Sequence, residues 1–392
     1  MDNLLHRLDL SVRLLKGEGK HTLAQYIAGQ LETLQRIQEG APYLLCTYYV
    51  PPELLLLYDV EVLYIERIVG LTVSTGLLDG LSGSLPPGIC SYQRAFFHLM
   101  EQGALPKPCL LLSVDFPCGD AAEMMERLHE RWAIPIHRIR KPYIKHDLMA
   151  AAGLLEKRFS RKRDEGDVSR LYNRANAYKK RIDALRLRHP GLADSGEMLK
   201  LFTVENDFGS EKALMVLQGL YHSLSQRAAE WQAGKEFRIL WMGLIPLYNN
   251  NLLAKIEAVM PVRFVWEEMW MFDHPDCPPA EPADDLRGLF YSQMADRLCG
   301  SVFYDPTVRC RKLTALAKRM KVDLVIDALQ RHCSFLPPLA PSSRSALEKA
   351  GIAFRTISAD MVRRGKGDQS LEDECVAIIK ESMEKASREG RR

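Results

Sequence analysis

Apolar residues recur at helical spacing through residues 1–38, beginning with MDNLLHRLDLSVRLLKGEGK, and then the pattern changes. Between 42 and 145, short unbroken apolar runs stand among polar segments. YLLCTYYV stops at Pro51-Pro52, PCLLLSVD occupies 108–115, and IPIHRIRKP occupies 134–142, with a helical pattern over 120–132 between the last two. Strand, helix and strand at this spacing form a βαβ unit and predict a parallel sheet. Residues 145–235 are rich in charge and helix formers and hold no strand-like run, which predicts an all-helical connector or cap. FRILWMG (237–243) reopens the strand pattern. NNNLLAKIEAVM then reads as a helix with an Asn-rich start, and VRFVWEEMW as a strand. KVDLVIDAL (321–329) is a further strand, and SSRSALEKAG (342–351) a helix with Ser at its N-cap and Gly at its end. AFRTISAD is the last strand and LEDECVAIIKESMEKASRE the closing helix. The expected fold class is α/β: two open parallel-sheet domains of the Rossmann or flavodoxin kind, with an N-terminal helix and a helical connector. The expected boundaries are 1–40, 41–145, 146–235 and 236–392.

Composition narrows the classes. A chain of 392 residues has the length for two or three domains, each with its own core. Its 53 basic and 50 acidic residues nearly balance, giving no general reason to expect nucleic acid or a membrane as partner. No run of about 18 apolar residues predicts a transmembrane helix, and charge within the N-terminal apolar pattern argues against a secretion signal. Nine scattered cysteines, an odd number without a CxxC pair, argue for a reducing compartment, by default the cytoplasm, and against a disulfide framework. The basic run Lys157, Arg158, Arg161, Lys162 and Arg163 reads as a solvated face, with a docking surface for an acidic partner as the alternative.

In open parallel sheets, ligands bind beyond the carboxyl ends of the strands, where loops run into helix N-termini. Cys118 follows LLLSVD and precedes a helix. Cys90, in LPPGICSYQRAFFHLMEQG, precedes another helix after a Pro-Pro-Gly turn. Cys333 follows LVIDAL within QRHCSF. A helix N-terminus offers unpaired N–H groups and partial positive charge, which lower a thiol's pKa and favour an anion. An iron–sulfur cluster held by thiolates is such an anion, and three protein thiolates leave one iron of a cubane open. The competing reading of a lone cysteine is a small buried hydrophobe, and the residues alone leave both readings open for these three. Cys109 and Cys375 fit the core reading, while Cys277, Cys299 and Cys310 carry no such pattern. GxGxxG, GxxxxGK[ST] and GxSxG are all missing where they would be needed, which removes the fingerprints of dinucleotide binding, P-loop hydrolysis and α/β-hydrolases. His332 adjoins Cys333, though sequence neighbours rarely face each other in a nucleophile pair. Glu53, just after Pro51-Pro52, is either a helix-start acid favoured by the dipole or a functional carboxylate.

Taken in order, five segments resemble the 2-hydroxyacyl-CoA dehydratase and benzoyl-CoA reductase superfamily, and in particular a dehydratase D-component-like subunit. LLCTYYVPPELLL resembles its opening Pro-x-Glu motif and GICSYQRAFF its Cys-x-x-x-Arg segment. LLLSVDFPCGDAAE is similar to the strand ending in Cys-Asp, FRILWMGLIP to the Arg-Ile-Leu-x-x-Gly-x-Pro strand, and DLVIDALQRHCSF to the strand carrying the third cysteine. The resemblance spans about residues 40–390. It implies that Cys90, Cys118 and Cys333 hold a 4Fe-4S cluster between the two α/β domains, that Glu53 lies near the substrate, and that Cys46 shares the opening motif. Two departures stand out: Gly119 separates Cys118 from Asp120, and YDVEVLY replaces small residues after the Pro-x-Glu helix.

The implied activity is that of an iron–sulfur lyase. An ATP-dependent iron–sulfur activator delivers a low-potential electron, the thioester carbonyl of an acyl-CoA becomes a ketyl radical anion, and the 2-hydroxyl is expelled. The open iron serves as Lewis acid, and Glu53 is a candidate for the hydroxyl proton. The implied partners are a homologous subunit, in a heterodimer or homodimer, and the activator, under anaerobic conditions. Two alternatives share the scaffold. One is a benzoyl-CoA-reductase-like or double-cubane (8Fe-9S) reductase, for which Cys46, Cys299 and Cys310 are candidate extra ligands. The other is a non-catalytic partner subunit.

Overall fold

The computed structural model describes residues 1–78, 85–86, 88–232, 234–249, 251–270, 286–300, 305–362 and 369–390, with backbone alone for 286–289, 297, 299 and 300. Two sheets of four parallel strands organise these residues. The first contains β1 (Tyr43–Cys46), β2 (Glu61–Tyr64), β3 (Leu110–Val114) and β4 (Ile136–Ile139), in the order β2-β1-β3-β4. The second contains β5 (Phe237–Gly243), β6 (Val262–Glu267), β7 (Leu324–Gln330) and β8 (Ala353–Ala359), in the order β6-β5-β7-β8. The expected α/β class with two open parallel sheets is therefore observed.

Both orders reverse direction once, between β1 and β3 and between β5 and β7. At such a point the loops leaving adjacent strands diverge and open a crevice. The central strands are buried along their whole length, YLLC and LLLSV included, because helices cover both faces of each sheet. Leu45 and Leu111 share one apolar core with Phe237, Ile239 and Leu324, and the helices that carry Ile68, Phe96 and Ile379 belong to the same core, so one continuous apolar layer links the two sheets. Leu44, Cys46 and Leu112 face the other way, into a layer with Leu54, Ile144 and Leu148. Leu240 and Val325 pack against Tyr172, Ile182 and Leu217 of the helical segment.

Several boundaries differ from the sequence expectation. β2 was not foreseen: YDVEVLY contributes the edge strand Glu61–Tyr64, whose pairing with β1 runs from Tyr43–Glu61 to Cys46–Tyr64. Its first two residues, Glu61 and Val62, are half-buried and its last two, Leu63 and Tyr64, are buried, as suits a strand at a sheet edge. The helix expected at 342–351 runs from Ala340 to Lys349 and is entered through a 3-10 turn, Pro337–Leu339. Leu339 rather than a serine holds the N-cap position, while Gly351, at φ +78°, ends the segment as expected. The helix after β5 starts at Leu252, and Asn251 caps it without a side-chain bond; Asn250 lies outside the described residues, as does Pro87 of the Pro-Pro-Gly turn.

Between β4 and β5 the described elements are helical, including the long helices Glu165–Arg188 and Glu211–Glu230. Three residues of the basic run are paired: Arg161 with Glu165, Lys162 with Asp59 at 3.3 Å, and Arg163 with Glu211 at 2.5 Å. The run is thus an ion-paired, solvated seam beside the first sheet. Among the described residues, no helix is long and apolar enough to cross a membrane.

Candidate functional site

Cys118 and Cys333 follow the carboxyl ends of strands, and Cys90 stands at the start of a helix in the connection from β2 to β3. Cys118 is the N-cap residue of the helix Gly119–Trp132, four residues beyond the end of β3. Cys90 is the N-cap of the helix Ser91–Glu101. Cys333 follows β7 after a turn in which His332 takes the left-handed conformation at φ +57°. Gln330, three residues before Cys333, donates to Cys90 Sγ at 2.8 Å, and Asp120, two residues after Cys118, accepts from the Cys90 amide at 3.4 Å, so the segments that carry the three thiols meet.

Amide N–H groups meet each sulfur. The side-chain Nε2 of Gln330, the last residue of β7, donates to Cys90 Sγ at 2.8 Å, and the Tyr92 and Gln93 amides also reach it. The Leu336 amide donates to Cys333 Sγ at 3.4 Å, and the Ala121 amide bonds to Cys118. Cys109 behaves oppositely, its Sγ donating to the Tyr43 carbonyl at 3.0 Å as a thiol does. Asp120, displaced by one position from the family pattern, ties the loops together. Its Oδ2 accepts from the Cys90 amide at 3.4 Å, and its carboxylate bonds Ser334 and feels the charge of His332.

The expectation of lowered thiol pKa values is corrected. Burial pushes Cys90 up to about 12 and holds Cys118 and Cys333 above the ordinary thiol value, against the opposing pull of the backbone amides. The dipole of a helix end is smaller than the desolvation of a buried thiolate. In the metal-free chain these are therefore thiols, whose protons a bound metal would displace.

Other carboxylates and phenols crowd the crevice. Tyr48 and Tyr49 leave the end of β1 and stack edge to face, with ring centroids 5.2 Å apart. Burial, first of all, raises the Tyr49 phenol well above its ordinary value, and its ring packs against the layer that holds Leu44 and Leu54. Glu66, raised to about 7 by burial, bonds Gln93, and its charge reaches Cys118. Glu205, raised to about 8 by burial, accepts the hydroxyl of Tyr48. None of Tyr49, Glu66, Glu205 and Gln330 stands out in the sequence, because only the tertiary fold brings their segments to this crevice.

Glu53 lies in the short helix Pro52–Leu55, only 1% exposed, and its charge acts on Tyr64. Cys46 points away from the layer that holds Cys90: it is fully buried with Leu44, Leu54 and Leu112 on the opposite face of the first sheet. Cys310 sits on the helix Pro306–Met320 beside Arg309, and Cys375 is core within the last helix. Cys277 and the side chain of Cys299 lie outside the described residues. Among the described residues, no group of three or more His, Cys, Asp and Glu side chains is arranged to hold a single metal ion. The ligands of a cubane bind separate irons and stand farther apart than the ligands of one ion. The donor set, thiols with N–H groups aimed at their sulfurs, fits such a group.

The fold and the junctions define an α/β protein with two open parallel sheets and thiol-bearing loops at their switch points. Over residues 47–371 the chain matches the family described as 2-hydroxyglutaryl-CoA dehydratase, D-component, and it belongs to that family. The family is one of cluster-associated dehydratase components that work with other dehydratase subunits. No curated protein matches the chain.

Proposed function

We propose that the chain is the iron–sulfur subunit of a cytoplasmic 2-hydroxyacyl-CoA dehydratase-like enzyme, with Cys90, Cys118 and Cys333 as ligands of one 4Fe-4S cluster. The observation that carries this reading is the meeting of three thiol-bearing segments, two after strands of different sheets and one at a helix start, each sulfur met by amide N–H groups, within a chain of this family. When bound, the cluster supplies single-electron transfer at low potential and an open iron as Lewis acid. The low-potential electron comes from an ATP-dependent activator, and the substrate passes through a ketyl radical anion before losing its hydroxyl. Glu53, at the start of the helix after β1, takes the part of the group handling the hydroxyl proton. Tyr49 lines the crevice and helps exclude water, and Asp120 holds the Cys90 and Cys333 loops in register. In this reading residues 41–145 and 236–392 form the two α/β domains, 1–40 and 146–235 the helical parts, and a homologous subunit completes the enzyme.

One cubane is favoured over a double-cubane reductase because Cys46, a candidate extra ligand, is sealed on the far face of the first sheet. Iron and acid-labile sulfide per chain, measured on protein purified without oxygen and with an EPR spectrum after reduction, decide the matter. About four irons with a reducible signal are expected; about eight would replace the reading with the double cubane. No iron after anaerobic reconstitution would leave a non-catalytic partner subunit. Cys118→Ser is expected to lose the cluster, and full iron in that variant would remove the ligand assignment.

A further inference from the structure

Gln330 ends β7 with its side chain buried against the start of the helix Ser91–Glu101. Its Nε2 lies 2.8 Å from Cys90 Sγ and 3.4 Å from Ser91 Oγ. The Val362 amide, also from the second sheet's unit, donates to the same Ser91 hydroxyl at 3.3 Å. Two donors from the second unit thus hold the first turn of the helix that carries Cys90. A neutral thiol is a weak acceptor, whereas a thiolate makes a charge-assisted bond. A buried carboxamide aimed at a sulfur gains most when that sulfur is anionic, and it adds no net charge of its own.

We infer that Gln330 is a positioning residue for the metal group: it fixes Cys90 across the junction of the two units and sets the reduction potential through its N–H···S bond. The inference rests on the cluster reading proposed above. An N–H dipole directed at a ligand sulfur favours the more negative, reduced state, so it raises the potential. The loss of that donor makes reduction harder.

The test is Gln330→Met in the full chain, a replacement of similar length that carries no donor. Parental and variant chains are reconstituted anaerobically, assayed for iron, and titrated redox-potentiometrically with EPR detection. The variant is expected to keep its iron and to shift the reduction equilibrium on the order of tenfold towards the oxidised state, about 59 mV for one electron. A purely structural glutamine would leave that midpoint where it was. Equal iron and an unchanged midpoint overturn this inference and leave the cluster reading standing; a parental chain that binds no iron overturns both. A variant that fails to hold iron moves the test to the parental protein grown with glutamine labelled by 15N at its side-chain amide. Pulsed EPR of the reduced cluster then shows a nitrogen coupling that changes with the isotope, and its absence overturns the inference.

Discussion

Asp327 stands in the middle of β7 with two guanidiniums and a second carboxylate for company. Arg309 is buried, bonds Glu268, and donates to Ser343 Oγ at 2.7 Å. Burial, and then the charge of Glu268, raise Asp327 from 3.8 to about 7, while Arg309 and Arg344 pull the other way. The folded chain therefore holds this proton more tightly than the unfolded chain does. The stability it confers is fully present below about pH 4 and is lost as pH rises through about 7. Asp327→Asn is expected to remove that loss and raise the melting temperature at pH 8 by about 2–4 °C, with little gain at pH 4. A variant that melts lower than the parent at pH 8 would contradict the assignment. The same contest between desolvation and favourable charge acts at the three sulfurs, and burial wins there too. Cys90, Cys118 and Cys333 could be selected from the sequence because each follows a strand pattern or precedes a helix pattern. Gln330 and Glu66 could not, since a glutamine at a strand end and a glutamate in a first helical turn are common and say nothing of a partner on another element, which for Gln330 is more than 200 residues away.

At the scale of elements, much follows from local rules. Asp164, Asp194, Ser210 and Asp305 each cap a helix by accepting a backbone N–H through the side chain. FRILWMG forms β5 over its whole length because seven consecutive residues suit a strand covered on both sides. Its final residue has a specific duty. Gly243 has φ +77°, and a Cβ built there would lie 2.5 Å from the Ala328 carbonyl of β7. Gly243→Ala combines a left-handed backbone with a clash against a neighbouring strand. It is expected to cost about 2–4 kcal/mol in urea denaturation; a loss below about 0.5 kcal/mol would show that the β5–β7 junction gives way easily. β2 escaped the sequence reading for the opposite reason. Four residues of mixed polarity at a sheet edge offer too few positions for a period to emerge.

Across the whole molecule, buried charges join parts that are distant in sequence. Arg186, from the helical segment, bonds Glu267 at the end of β6 at 2.7 Å and lies over the Trp266 ring at 4.3 Å. Arg67 likewise joins Gln30 of the N-terminal helix His21–Gln38 to Asp207 and the Thr203 carbonyl of the 3-10 turn Phe202–Asp207. Arg186 ties the helical segment to a sheet, and Arg67 ties three helical parts to one another. Arg186→Met would leave Glu267 buried without its cation, an arrangement that costs about 3–5 kcal/mol. The urea midpoint is expected to fall accordingly, and adding Glu267→Gln is expected to recover part of the loss. If the double variant is no more stable than the single one, the pair does not act as described.

The sequence by itself determined the class and the strands other than β2, because a buried parallel strand needs an unbroken apolar run and an intervening helix needs its own period. It also located Cys118 and Cys333 after strands and Cys90 at a helix start and, through five ordered motifs, pointed to the family. What only the tertiary structure decided is the company those cysteines keep. The cysteines lie in three different loops, and one apolar core, helices included, links the two sheets that hold those loops. Gln330 therefore reaches Cys90, Asp120 bridges two loops, and Glu66 comes within electrostatic reach of Cys118. The fold also turned Cys46 away, because successive side chains of a strand point to opposite faces and Leu45 took the inner one. Hydrophobic patterning reports whether a residue is buried; which residues meet inside depends on how the layers stack.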